Sequence, residues 1–285
     1  MAVTIIGDAF IDIVVPIYGI KPGETYHRNM SISCGGTANV AVQVAKLDEE
    51  VGFMGKVGDD ALGLYFRKNL RNNKVKDFTF VDKNHPTGLC VSLFYESGEQ
   101  GMIANRGAND YLTRVETASY LKQVLKSKIV YFSGYSLVNN PETVTYTMKE
   151  CRPNCEVWFN PGAPNIVESS TKSLVHELVD VLILNLAEAK SITQEDEISE
   201  IAAKLGQMAE LSVVTLGKNG CVVSGTGEWT QLPINDLVTG VDTTGAGDAF
   251  AAGFIAGKMR NISEFKCAKL ANEVAANFLR QKVVR

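Results

Sequence analysis

From residue 114 onward, helix-type and strand-type patterns alternate without interruption, and this alternation constrains the fold more than any other feature. Val115 to Leu125 precedes the β-type run Ile129 to Phe132, and Glu142 to Lys149 precedes Val157 to Phe159. Leu174 to Leu178 then precedes Val181 to Leu184, and Glu197 to Glu210 precedes Val213 to Leu216. Units of this kind predict right-handed crossovers on a mostly parallel sheet with helices on both faces, an α/β fold. The chain opens similarly, with a strand over Val3 to Ile6, a second β-type run over Ile11 to Val15, and helical spacing over Thr37 to Leu47 and Ala61 to Asn72.

Two β-rich stretches break the alternation. One lies at 13–34, where Pro16 to Ser33 reads as hairpin or loop; the other lies at 87–105, around a polar Glu96-Ser97-Gly98-Glu99 turn. Neither carries helices to cover two faces, so the two are expected to form a small β-sheet lid. The expected division is a core of residues 1–12, 35–86 and 106–285 with a lid of residues 13–34 and 87–105.

Composition removes several classes of function. The 285 residues carry 28 basic and 32 acidic side chains, net −4, with no long block of one sign, so no nucleic-acid partner is expected. No charge-free apolar stretch is long enough for a membrane span, and the apolar start lacks a preceding Lys or Arg and is interrupted by Asp8 and Asp12. A soluble, cytoplasmic protein is the expectation. Six scattered cysteines fit a reducing compartment, and Cys151 and Cys155 lack the second ligand pair of a zinc site.

The segment Gly245-Ala246-Gly247-Asp248 is where chemistry concentrates. Small residues lead at once into an apolar helix, so backbone N–H groups at the helix start can face an anion, and the helix dipole favours negative charge there. Asp248, on the same turn, can take a proton from an alcohol while that anion site holds a phosphoryl group. A glycine turn with Asp as helix cap is the plainer reading of these four residues taken alone.

Further motifs change that balance. Asp242-Thr243-Thr244-Gly245-Ala246-Gly247-Asp248 resembles the C-terminal signature of the ribokinase-like (PfkB) carbohydrate kinases, and Cys34-Gly35-Gly36-Thr37-Ala38-Asn39-Val40-Ala41 is similar to their N-terminal one. Gly58-Asp59-Asp60 with Gly63, Asn185-Leu186-Ala187-Glu188 and Thr215-Leu216-Gly217-Lys218-Asn219-Gly220 follow in the family's order. The resemblance implies a Rossmann-like three-layer core with a β-sheet lid, ATP and Mg²⁺ as cofactors, and a small sugar-like substrate. It implies Asp248 as base and Gly245, Ala246 and Gly247 as the anion hole. It also implies Asn185 and Glu188 as residues ordering Mg²⁺ through water, although Asn185 also fits a strand-end cap. Thr215, Gly217, Lys218 and Gly220 join Asn185, Gly245 and Gly247 as nucleotide contacts, although Lys218 also fits an exposed turn lysine.

For the substrate, the resemblance implies Asp12 gripping vicinal hydroxyls, with Gly35, Gly36 and Asn39 lining the same pocket. Arg106 is a candidate for a polar or anionic substrate group, with a solvent-facing arginine as the other reading. A homodimer through the lid is a further expectation of the resemblance. The chain departs from the pattern in having two residues between Gly36 and Asn39, and Trp158-Phe159-Asn160-Pro161-Gly162 keeps only the asparagine of Asp-x-Asn-x-Arg.

Rival readings fare worse. The Gly-Lys pairs beginning at 55, 217 and 257 are not followed by Ser or Thr, so no P-loop is present, and Gly245-x-Gly247 leads to Phe250 where a dinucleotide fingerprint needs glycine. His27, His85 and His176 stand in unrelated contexts, which supports neither a metallohydrolase nor a His-based triad. A nucleotide- or sugar-binding regulator without turnover remains the alternative from another class.

Overall fold

A strand with no polar position must be covered on both faces, because neighbouring side chains point to opposite sides of the sheet. The same holds for a strand buried along its length, and in the main sheet Val3–Ile6, Val51–Met54 and Ile129–Ser133 are buried at every position, Val181–Asn185 at all but the last. The computed structural model describes residues 1–21, 23–27, 29–95, 100–162, 169–225, 227–234, 237–238 and 243–283, and the side chains of all of these except 100, 169–172 and 283.

In chain order the elements are β1 (Val3–Ile6), β2 (Ala9–Pro16), β3 (Ser31–Gly36), α1 (Ala38–Lys46), β4 (Val51–Met54), β5 (Lys56–Gly58), α2 (Ala61–Asn72), β6 (Lys76–Asp77), β7 (Phe80–Asp82), β8 (Gly88–Phe94) and β9 (Gln100–Asn105). There follow α3 (Arg114–Val124), β10 (Ile129–Ser133), α4 (Pro141–Cys151), β11 (Glu156–Asn160), α5 (Ser169–Leu178), β12 (Val181–Asn185), α6 (Leu186–Thr193) and α7 (Ile198–Met208). The last elements are β13 (Leu211–Thr215), β14 (Cys221–Ser224), β15 (Trp229–Leu232), α8 (Ala246–Met259) and α9 (Glu264–Val283).

Among the described residues the main sheet has nine strands, in the order β15-β14-β13-β12-β11-β10-β1-β4-β6. It is parallel from β13 to β6, with β14 and β15 added antiparallel at one edge. Val3, Ile5, Phe53, Trp158 and Ile183 point to the face covered by α1, α8 and α9. Their neighbours Ile6, Met54, Phe132, Phe159, Leu182 and Leu184 point to the other face, against Met148 of α4, Val175 of α5, Ile192 of α6 and Leu205 of α7. The expected three layers are therefore present. Strands β4 and β14, unread in the sequence, are four residues each with too little alternation to betray a strand.

A second sheet, in the order β3-β2-β8-β9, is built from the two inserts. It reaches further into the chain than its expected limits of 13 and 34. Strand β2 starts at Ala9 and β3 runs to Gly36, so Asp12, Gly35 and Gly36 lie on the small sheet and not on the core. The loop expected between Pro16 and Ser33 ends in β3, which pairs antiparallel with β2. The Glu96 to Glu99 turn lies outside the described residues.

Helix α8 is buried from Ala249 to Gly257, and its small residues let α9 approach closely. A Cβ on Gly253 would stand 2.7 Å from the Ala271 backbone, and one on Gly257 would stand 2.8 Å from Cys267 Sγ. This packing fixes the N-terminal end of α8 beside α1. The chain leaves β1 toward β4 on one side and later returns to β10 on the other. Such a reversal opens a crevice at the carboxyl ends of the strands, where ligands of open α/β sheets bind. Among the described residues no helix is long and apolar enough to cross a membrane.

Candidate active site

The crevice is a cleft of about 700 Å³. Its floor is the row of residues that end or directly follow the parallel strands: Asp8 after β1, Ser133 on β10, Asn160 on β11, Asn185 on β12 and Thr215 on β13. One wall is the start of α8, and the opposite wall is the inner face of the small sheet.

Gly245 caps α8 with φ +83, a left-handed conformation that glycine adopts without steric cost. The Ala246 N–H is spent on Thr243 O at 3.0 Å, so Ala246 shapes the turn and offers no free donor to an anion. Of the three residues expected to form the anion hole, Gly247 best retains that capacity. It lines the cleft, its N–H has no backbone acceptor among the described residues, and a Cβ added there would meet nothing within 4 Å. Neither its backbone conformation nor its packing demands glycine. The open space beside it is of the kind a bound group occupies.

Asp248, one residue on, faces the same cleft and is hydrogen-bonded to Asn39 at the start of α1. Burial pushes its carboxyl up to about 7, the Asp12 charge acts in the same direction, and the Asn39 bond opposes both. A carboxylate titrating there is suited to general-base work at neutral pH.

Asn185 and Glu188 form a capping box at the start of α6. Glu188 N donates to Asn185 Oδ1 at 2.9 Å, and Asn185 N donates to Glu188 Oε2 at 2.9 Å. Asn185 Nδ2 also donates to Glu188 Oε1 at 2.8 Å, and Asn160 Nδ2 donates to Oε2 at 3.1 Å. The strand-end cap is thus realised in Asn185, whose side chain also lines the cleft where the Mg²⁺ reading needs it. Burial raises Glu188 to about 7 despite these bonds, with the Asp248 charge contributing. Among the described residues no cluster of three or more His, Cys, Asp or Glu forms a metal cage. The donor set fits a cation that keeps most of its own waters, as Mg²⁺ does. Four carboxylates, Asp8, Asp12, Glu188 and Asp248, line the cleft against one arginine, which also leaves a divalent cation electrostatically welcome.

Asp12 on β2 differs from these acids. Its carboxyl is pushed up to about 6 by burial alone, and no protein donor among the described residues offsets that cost. Gly35 across the β2–β3 pair leaves room for it: a Cβ there would overlap the Asp12 carboxylate at 1.9 Å. Gly36, at φ +69, lines the cleft while Gly35 does not.

Arg106 lines the cleft but is already engaged. Its Nη1 and Nη2 donate to Asp8 at 2.8 and 3.1 Å, and its Nε donates to Asp110. It ties the end of β9 to the end of β1, so this candidate substrate contact reaches the cleft with three of its N–H groups already committed to carboxylates. The nucleotide contacts expected after β13 also divide. Thr215 lines the cleft, whereas Gly217 and Lys218 are exposed and outside its lining. Gly220 is buried against the Leu232 carbonyl, where a Cβ would overlap at 1.9 Å, so its glycine serves the turn. Asp242 lies outside the described residues. Sequence reading missed Phe10, Tyr131, Ser133, Tyr135 and Val138 as cleft residues, since only the β1–β10 reversal and the small sheet bring them together.

Comparison with known proteins agrees with this architecture. The family model described as pfkB family carbohydrate kinase matches residues 2–284. A mouse ribokinase is 28% identical, over 96% of this chain and 88% of its own. The crystal structure of an adenosine kinase from Sinorhizobium meliloti superposes with a TM-score of 0.89 at 27% identity, covering 98% of this chain and 94% of that one. An Arabidopsis thaliana ribokinase complexed with ribose and ATP superposes at 0.85 with 26% identity, covering 98% and 92%.

The uncompensated Asp12 carboxylate has a consequence for stability. Its raised value means the ionised form weakens the fold at pH above about 6 and is without effect below the ordinary 3.8. Asp12→Asn is therefore expected to raise Tm at pH 8 by about 3 °C, with the gain vanishing near pH 4. Thermal unfolding of both proteins at the two pH values checks this; equal Tm at pH 8 would show that the carboxylate is not desolvated.

Proposed function

Since the chain belongs to the pfkB family of carbohydrate kinases, phosphotransferases with an alcohol acceptor, we propose that it transfers the γ-phosphoryl group of ATP to a hydroxyl of a sugar, sugar acid or nucleoside. The observation that carries this reading is Asp248, raised to about 7, one residue beyond the open space at Gly247. Asp12 receives two hydroxyls of the acceptor and replaces the water it lost on burial. Asn39 orients Asp248, which takes the proton of the attacking hydroxyl. The acceptor oxygen bonds to the γ-phosphorus as the bond to the bridging oxygen breaks, and ADP leaves. The Gly247 N–H and the α8 dipole hold the negative charge on the transferring group. Asn185 and Glu188 would hold Mg²⁺ through its waters, and the ion supplies charge neutralisation to the triphosphate. Thr215 lies on the nucleotide side of the cleft.

Binding alone would not need a carboxyl beside the open space at Gly247, which favours the enzyme over a regulator of the same fold. The six cysteines are all unpaired, which fits a cytoplasmic setting. The outer face of the small sheet carries Ile32, Ile13, Val91 and Ile103 side by side across its four strands, with Ile32 and Ile103 exposed. This face suits a homodimer formed through the lid, and sedimentation equilibrium giving only monomer at micromolar concentration would remove that contact.

Asp248→Asn is expected to lower kcat by about 10²- to 10⁴-fold while ATP binding by calorimetry stays within a factor of two. Unchanged turnover would take the base role away from Asp248. Because the base must be ionised, kcat/KM should fall as pH drops through about 7. Asn39→Ala, which removes a bond to the ionised form, should move that limb to higher pH; a limb that stays in place would mean Asn39 does not tune Asp248. Gly247→Ala should keep the wild-type Tm and lose at least ~10²-fold in kcat, since its methyl group fills the anion space. Full activity in that variant would place the phosphoryl group elsewhere.

A further inference from the structure

The acceptor half of the cleft has a composition that narrows the substrate class. On the inner face of the small sheet, Asp12 of β2 pairs with Cys90 of β8, which pairs with Ala104 of β9, and in the next row Ser92 pairs with Met102. All five side chains line the cleft. Three strands at ~4.8 Å spacing make this a shelf about 10 Å wide, low over Cys90, Ala104 and Ser92, whose side chains are small. Met102 stands at its outer end and is 66% exposed. Facing it from the core are Tyr135 and Val138, 40% and 46% exposed, and Phe10 closes the inner end over Gly36 and Gly88. Exposed apolar side chains gathered on facing walls of one cleft mark a place for an apolar ligand surface. A free sugar has none of matching size.

Charge points the same way. Arg106 is the one cationic side chain among the described residues lining the cleft, and two carboxylates already hold it. A phosphate or carboxylate on the acceptor would meet Asp8, Asp12 and a neutralised arginine, far from favourable terms for an anion.

We propose that the acceptor is an uncharged nucleoside, its ribose diol on Asp12 and its base in the slot between the Cys90–Ala104–Met102 shelf and Tyr135–Val138. This rests on the kinase reading and deepens it. With both ring hydroxyls on Asp12, the remaining primary hydroxyl faces Asp248. The oxygen of that group bonds to the γ-phosphorus, its proton passes to Asp248, and the products are a nucleoside 5′-monophosphate and ADP.

The test is ATP- and Mg²⁺-dependent phosphorylation of adenosine, inosine, cytidine, ribose, fructose and fructose 6-phosphate by the full chain, with calorimetric binding of each acceptor. At least one nucleoside should exceed ribose and fructose at least tenfold in kcat/KM, and fructose 6-phosphate should be at least a hundredfold worse. Met102→Ala and Tyr135→Ala, both at exposed positions, should lower the nucleoside-to-ribose ratio of kcat/KM about tenfold. Faster turnover of a sugar or sugar phosphate, abolished by Asp248→Asn, would overturn the nucleoside assignment and leave the kinase reading standing. Nucleoside binding sensitive to Met102 without any turnover would support the slot and overturn the kinase reading. Equal losses for nucleoside and ribose in both variants would show that the apolar walls serve closure of the small sheet, and absence of both binding and turnover would overturn both proposals.

Discussion

Withdrawing carboxylates from water is costly, and this chain does it at the edge of a sheet whose parallel strands all end on one side. The reversal at β1 and β10 leaves a crevice there, and the small sheet and α8 close it on two sides. Asp12, Asp248 and Glu188 are thereby held at raised values of about 6, 7 and 7. Their compensation differs. Glu188 is nearly saturated with donors from Asn185 and Asn160, Asp248 has Asn39, and Asp12 has no protein donor among the described residues.

The fold around this site is arranged to hold the acids still. Small residues along α8 allow close contact with α9 and α1, which sets Asp248 and Asn39 at neighbouring helix starts. The capping box of Asn185 and Glu188 locks the first turn of α6 to the end of β12. Arg106 joins the ends of β1 and β9, so the small sheet is tied to the core beside the cleft. Each device is local, yet together they place groups from distant parts of the chain within one cavity.

Much of this was legible in the residues. The α/β alternation from 114 gave the layers, and the small residues before Asp248 marked the helix start that lines the cleft. What escaped reading depended on partners far along the chain. Arg106 reads as a candidate substrate contact, and its pairing with Asp8, 98 positions away, shows only in the fold. Gly220 reads as a nucleotide contact, but its hydrogen side chain is needed by the Leu232 carbonyl. Ala246 reads as a donor at the helix start, but the turn consumes its N–H. Phe10 and Tyr135 carry no motif, and only the closure of the cleft gives them a common place.

The central claim is that the cleft holds two carboxyl groups near neutrality, one of them poised as a base. Carbon-13 NMR titration of the Asp and Glu side-chain carboxyls measures this directly, with Asp248→Asn and Glu188→Gln to assign the pair. The account predicts two groups titrating with apparent values near 7, one lost in each variant. Titration of both below about 5, as in solvent-exposed carboxyls, would contradict it.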